Sequence, residues 1–174
     1  MRALHVACSF LLLPTVPPVL AAQAPPAYRG FAPGMAYRDF ATRAQALARR
    51  DTLRCNTSKH TAQLMECGVQ IRDPSDTTNF YLSAYVIEGK VAMLSFGDSG
   101  GVRLVKRTQR DLLRRLGPAH ATGVGTWEWK NGRRVARLNW RGRGGARWIY
   151  VNLADNDLMD GISRYVKTTT RRKP

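Results

Sequence analysis

The chain predicts an α+β fold: two similar units, each a helix followed by three antiparallel strands, with the helices packed on one sheet face. Three observations carry that expectation. Apolar residues recur at helical spacing twice, over 36–49 and 102–116, and each run is followed by segments that alternate apolar and polar residues at period two. Neighbouring alternating segments are joined by Glu88-Gly89-Lys90 and by Asn131-Gly132, short connections with the glycine that hairpins favour. The expected organisation is a signal peptide over 1–24, a linker over 25–33, a first unit over 34–101, a second over 102–166 and a basic tail over 167–174.

Arg2 is followed by an apolar run from Ala3 to Leu13, a Pro-containing stretch and the small residues Ala21, Ala22 and Ala24, the layout of a secretory signal peptide. Pro14, Pro17 and Pro18 would interrupt a helix built through this segment, and Cys8 falls before any plausible cleavage point. No later stretch approaches the ~20 consecutive apolar residues of a membrane helix. The mature chain is therefore expected in the periplasm or outside the cell, with no transmembrane segment. The linker ends in a turn-rich entry from Tyr28 to Gly34.

In the first unit, Tyr37, Phe40, Ala44, Leu47 and Ala48 share one helix face, with Arg38, Asp39, Arg43 and Arg50 on the other. From Thr61 to Ile71, Met65, Cys67, Val69 and Ile71 point one way, as in a strand with one buried face. A turn at 73–76 leads into a hairpin of Phe80–Ile87 and Val91–Phe96. Gly97 to Gly101 is expected to turn the chain into a second helix, with Asp98 or Ser99 capping it. That helix, Val102 to Leu116, carries Leu104, Leu112, Leu113 and Leu116 and is stopped by Gly117 and Pro118. Strands follow at Thr126–Lys130, Arg133–Arg141 and Arg147–Leu153. A terminal helix with Leu158, Met159, Ile162, Tyr165 and Val166 is expected to start at Asp157 as N-cap, and the chain from Lys167 to be loose.

The run from Gln109 through Leu116-Gly117-Pro118, followed by Thr126-Trp127-Glu128-Trp129 and a polar hairpin, resembles the SmpA/OmlA (BamE-type) outer-membrane lipoproteins and the similar β-lactamase-inhibitor-like repeat, in which a helix ending in Leu-Gly-x-Pro precedes a tryptophan-bearing strand. Gly34-Met35-Ala36 resembles the opening of the helix in that family. The chain departs from the pattern in having no lipobox cysteine, no residue between Gly117 and Pro118, and no Leu-Gly-x-Pro in its first unit. The resemblance implies an exported α+β binding module and carries over no functional residue.

Without the signal peptide, two cysteines remain, Cys55 and Cys67, and an exported chain makes a disulfide between them the default. His60 is the one further ligand nearby, short of a four-ligand structural zinc site, so no metal is expected. Charge is the strongest compositional signal. The chain carries 28 Lys+Arg against 12 Asp+Glu, and residues 102–174 hold 18 of the basic and 5 of the acidic side chains. Such a field attracts polyanions: an anionic polymer, an envelope surface or an acidic protein, with nucleic acid a less favoured partner.

Gly97-Asp98-Ser99-Gly100-Gly101 matches the pentapeptide around the nucleophile of trypsin-like serine proteases. A serine nucleophile needs a base and an orienting carboxylate. His60 and Asp73 or Asp76 stand in the required order, but without that family's histidine motif or chain length. A nuclease using His60, His120 or Lys59 has no specific spacing behind it. No catalytic constellation is complete and no cofactor motif is present. The more informative grouping is in the second unit. There Leu138, Trp140, Ile149, Val151 and Leu153 alternate with Arg133, Arg137, Arg141, Trp148 and Tyr150, so burial of the first set places the second on an open face. Arginine beside aromatic rings suits phosphates, carboxylates or stacked rings. The function this predicts is an exported binding module presenting a basic aromatic sheet face to an anionic partner or protein, with a secreted hydrolase built on 97–101, or a nuclease, as the alternative.

Overall fold

The computed structural model describes residues 25–48, 50–59, 61–72, 79–143 and 145–171, with the backbone alone at 121, 122 and 166–171. The segment read as a signal peptide, together with His60, Asp73 and Asp76, lies outside them. The described chain is α+β, with helices α1 (Tyr37–Ala48), α2 (Val102–Leu116) and α3 (Asn156–Arg171). Its strands are β1 (Arg54–Thr57), β2 (Leu64–Ile71), β3 (Phe80–Ile87), β4 (Lys90–Gly100), β5 (Ala121–Gly123), β6 (Thr126–Asn131), β7 (Arg134–Arg141) and β8 (Arg147–Asp155). They form one antiparallel sheet in the order β1-β2-β3-β4-β8-β7-β6-β5.

The strand order reads alike from either edge: each unit is a helix and a meander, and the last strands of the two meanders, β4 and β8, pair at the centre. Each unit therefore has four strands where the sequence predicts three. The additional ones, β1 and β5, are the edges, and edge strands need bury neither face. Arg54, Asn56 and Thr57 are exposed, leaving no apolar alternation to read. The central seam also corrects the reading of Gly97–Gly101. β4 runs through Gly100, pairing Asp98 with Ile149, Ser99 with Trp148 and Gly100 with Arg147. Turn-forming residues stay extended here because β8 supplies their hydrogen-bond partners, and α2 starts after Gly101 with no side-chain cap from Asp98 or Ser99.

One face of the sheet holds the main core. Cys67, Val69 and Ile71 of β2, Phe80, Leu82, Ala84 and Val86 of β3, Leu94 and Phe96 of β4, Ala136 and Leu138 of β7, and Ile149, Val151 and Leu153 of β8 are all buried. Over them lie Phe40, Ala44 and Ala48 of α1, and Val105, Thr108 and Leu112 of α2. The buried stripe of α2 is thus rotated from the predicted one: Leu104 and Leu116 pack at its margins and Leu113 is exposed. Residues 25–33 are no mere linker. Tyr28 and Phe31 exchange two backbone hydrogen bonds of 2.9 Å in a tight turn, and both side chains are buried. The Phe31 ring packs 5.9 Å from those of Phe40 and Phe96, while the Arg29 guanidinium lies 4.1 Å over Phe80. The turn is a strap that closes the core between α1 and the sheet.

Not all helices share that face. Ile87 follows Val86 in β3, so its side chain points to the opposite side, yet it is also buried. What covers it is α3, whose Gly161 lies against the Ile87 methyl group. The helix crosses one end of the far face and continues to Arg171 where a loose tail was expected. The cap of α3 is Asp155, not Asp157: Asp155 Oδ1 accepts from the backbone N–H of Asp157 at 3.1 Å and Leu158 at 3.4 Å, and Oδ2 accepts from Arg134 Nε at 3.0 Å. Asp157 instead joins Asp160 in pairing with Arg133. Asp155→Ala is expected to destabilise the fold by about 2 kcal/mol, combining a lost cap with a half-screened ion pair. In chemical denaturation Asp155→Asn should lose less, because the amide oxygen still accepts the helix N–H groups.

Candidate functional site: the uncovered sheet face

Alternation along six strands decides what lies on the far face beyond α3. The register aligns three cross-strand rows there. Ser99, Trp148 and Arg141 form the outermost; Tyr81, Gly97, Tyr150 and Asn139 the next; Ser83, Ser95, Asn152, Arg137 and Glu128 the third. Trp148 is 57% exposed and Tyr81 50%. Two glycines make room for the tyrosine rings. The Tyr150 ring leans over Gly97, where a β-carbon would stand 3.7 Å from it, and the hydroxyl end of Tyr81 fills the space over Gly68, which a methyl group would take. These glycines lower the floor, and the rings lie along the sheet instead of standing off it. Beside Tyr81 the face dips into a concavity of about 730 Å³ lined by Arg54, Glu66, Gln70, Tyr81, Tyr85 and Met93. Its rim is tied down by Asp51, whose carboxylate accepts from the Gln70 N–H at 2.9 Å and the Thr52 N–H at 2.8 Å. Those two bonds, the one from Gln70 foremost, hold its carboxyl below the ordinary range.

Of the five residues the sequence groups together, the structure keeps four on this face. Arg141 and Trp148 are direct cross-strand partners, Tyr150 lies in the neighbouring row, and Arg137 in the third. Arg133 is elsewhere, in the β6–β7 turn, with its guanidinium on Asp157 and Asp160 of α3. Those two carboxylates hold its pKa above the usual arginine value. The reason is register. A turn centred on Asn131-Gly132 would have set Glu128 opposite Val135, but the central residues are Gly132, at φ +58°, and Arg133, so Asn131 pairs with Arg134 and Glu128 with Arg137. Arg137 is consequently bound: its Nε and Nη2 reach Glu128 Oε2 at 3.0 and 2.5 Å, and Lys130 Nζ reaches Oε1 at 3.0 Å. Arg137 first, then Lys130, keeps the Glu128 carboxyl below its ordinary pKa. Among the described residues Arg141 has no ion-pair partner. The face is less basic than its arginines suggest, and more aromatic.

The aromatics of the first unit, Tyr81 and Tyr85, were missed from sequence because they are only the complement of Phe80, Leu82, Ala84 and Val86. Pairing of β4 with β8 is what brings Tyr81 into one row with Tyr150, next to that of Trp148, while Tyr85 lies two rows further along β3, in the row of Met93 and Ala154. Ser99 sits in extended strand on the open face, while its neighbour Asp98 points to the other side, half-buried against Tyr28, Phe80 and Thr108. Burial raises the Asp98 pKa although Arg29 Nη2 stands 3.8 Å from it. His120 lies beyond β8, β7 and β6 at the far end of the sheet, its Nδ1 accepting from the Lys130 N–H at 3.2 Å. Among the described residues no cluster of His, Cys, Asp or Glu could hold a metal ion. The disulfide is present, joining Cys55 of β1 to Cys67 of β2. No helix of the described chain is long and apolar enough to cross a membrane. Comparisons with protein-family models, curated proteins and solved structures returned no match.

Proposed function

We propose that the chain is an exported binding module that engages an anionic partner or an acidic protein through its uncovered sheet face. The observation that carries this reading is the juxtaposition of exposed Trp148 and Tyr81, with Tyr150 between them, beside Arg141, which has no ion-pair partner among the described residues, on a rigid eight-stranded platform. Aromatic rings offer large contact areas at low entropic cost, and a guanidinium among them can pair with a carboxylate or phosphate while stacking on a ring. Arg137 contributes less as a free charge than as one end of a fixed Arg137–Glu128–Lys130 group. The disulfide supports export, since such bonds persist in oxidising compartments. Kinship with BamE-type modules is part of the proposal. The hydrogen bond from Trp129 Nε1 to the Gly117 carbonyl, 2.8 Å, supports it by giving a physical reason for a tryptophan strand to follow a helix ending in Leu-Gly.

The test is fluorescence anisotropy of labelled poly-glutamate, with Arg103→Glu and Arg110→Glu present throughout so that the exposed basic side of α2 takes no part. Arg141→Glu is expected to weaken binding by about tenfold or more and to flatten its salt dependence, and Trp148→Ala to weaken it by a similar factor while leaving the salt slope alone. Binding that survives both substitutions overturns the reading.

A further inference from the structure

A second concentration of cations lies away from the sheet face. It lies on the opposite layer, along α2. Arg103, Lys106, Arg107 and Arg110 are exposed, and none of them forms an ion pair among the described residues; Arg107 feels Asp98 at longer range, whereas Arg114 and Arg115 share Asp111. At 100° per residue, 103, 106, 107, 110 and 114 fall on one side of the helix, centred opposite the buried stripe of Val105, Thr108 and Leu112. The result is a straight row of cations with a rung about every 5 Å. Two exposed apolar side chains, Val102 and Leu113, flank this row near its two ends. A soluble polyanion would pair with the cations and leave those two side chains in water. A bilayer bearing anionic headgroups satisfies both, because arginine and lysine stems can lie along the interface while short apolar groups enter it.

We propose that α2 is a docking surface for an anionic lipid bilayer, binding phosphodiester headgroups through Arg103, Lys106, Arg107 and Arg110, with Val102 and Leu113 at the acyl boundary. The contact is peripheral: the remaining apolar face of α2 is committed to the core. Since α2 and the uncovered sheet face are on opposite sides of the sheet, docking holds Trp148, Arg141 and Tyr81 away from the lipid. The protein thus has two surfaces that can be occupied together.

Sedimentation of the full mature chain with vesicles tests this. Vesicles of phosphatidylcholine plus phosphatidylglycerol should bind it, with loss at high salt, and pure phosphatidylcholine should not. Arg103→Glu with Arg110→Glu should lower the partition coefficient by about 100-fold or more, Arg103→Lys with Arg110→Lys should retain it, and Val102→Ser with Leu113→Ser should lower it by about tenfold. All these positions are exposed, so circular dichroism and melting should be unchanged. Arg141→Glu and Trp148→Ala should leave vesicle binding intact, which separates this surface from the sheet-face reading: either can fail without the other. Vesicle binding that persists after the Glu reversals, or that is lost with Arg141→Glu, overturns the proposal. So does binding of inorganic polyphosphate or single-stranded DNA through the same arginines in the absence of vesicle binding.

Discussion

Phe31→Ala is expected to destabilise the protein by about 3–5 kcal/mol, the range for emptying a buried phenylalanine site. Phe31 is 0% exposed and its ring contacts those of Phe40 in α1 and Phe96 in β4. The size of the loss should come from the site's inability to collapse. Phe31 enters from a turn whose backbone is already fixed by two hydrogen bonds to Tyr28, and its neighbours are held by the sheet and by a helix. Chemical denaturation of the variant measures the effect directly. If residues 25–33 were only a connector, the change would fall within the few tenths of a kcal/mol usual for exposed positions. Arg29→Ala should cost less, since it leaves Phe31 seated and removes only the guanidinium over Phe80 and beside Asp98.

Removing the disulfide should be the next largest loss, about 3 kcal/mol in the chain-entropy estimate for a loop of this length. Cys55 and Cys67 are directly opposite in the β1–β2 pair and 12 residues apart in sequence. β1 is a four-residue edge strand with little of its surface buried. Beyond its four paired positions, it is held by the crosslink to β2, by the Tyr37 hydroxyl 3.7 Å from Cys55 Sγ and by the packing of Cys55 against the core. Cys55→Ser with Cys67→Ser, or the wild type under reductant, should therefore lower the midpoint of unfolding. Amide exchange in Arg54–Thr57 should rise more than in β3 or β4, because an edge strand opens locally before the sheet does.

These expectations show where sequence patterns carry structural information and where they do not. Alternation in 133–153 sorts Leu138, Ile149, Val151 and Leu153 from Arg137, Arg141, Trp148 and Tyr150, because a strand with one buried face leaves a period-two record. Helix α1 is legible for the same reason, with Phe40, Ala44 and Ala48 all buried. Partnership between strands leaves no such record. Nothing in Gly97-Asp98-Ser99-Gly100 announces that β8 will hold it extended, and both glycines have local reasons to be small: Tyr150 rests over Gly97 and Leu104 packs against Gly100. The difference between Asn131-Gly132 and Gly132-Arg133 as turn centres is invisible in the composition of the hairpin, yet it moved Arg133 to α3 and set Glu128 against Arg137. Asp155 escaped notice as a cap because it closes a strand as well as opening a helix. The candidate face was thus half legible: its arginine and tryptophan side came from alternation in one unit, and its tyrosine side needed the seam between β4 and β8.

That seam has a consequence for what counts as one protein here. Divided after Gly101, either half would be a sheet whose longest strand had lost its neighbour along one edge. For β4 this would bare the flank now paired with β8 from Met93 to Gly100. Unsatisfied edges of that length recruit other chains. Since the two halves present equivalent strands to each other, the natural recruit would be a second copy of the same half. In the single chain the two halves differ. The first carries the concavity with Tyr81 and Tyr85, the second Arg141, Trp148 and Tyr150, and a symmetric dimer of either could not offer both on one surface.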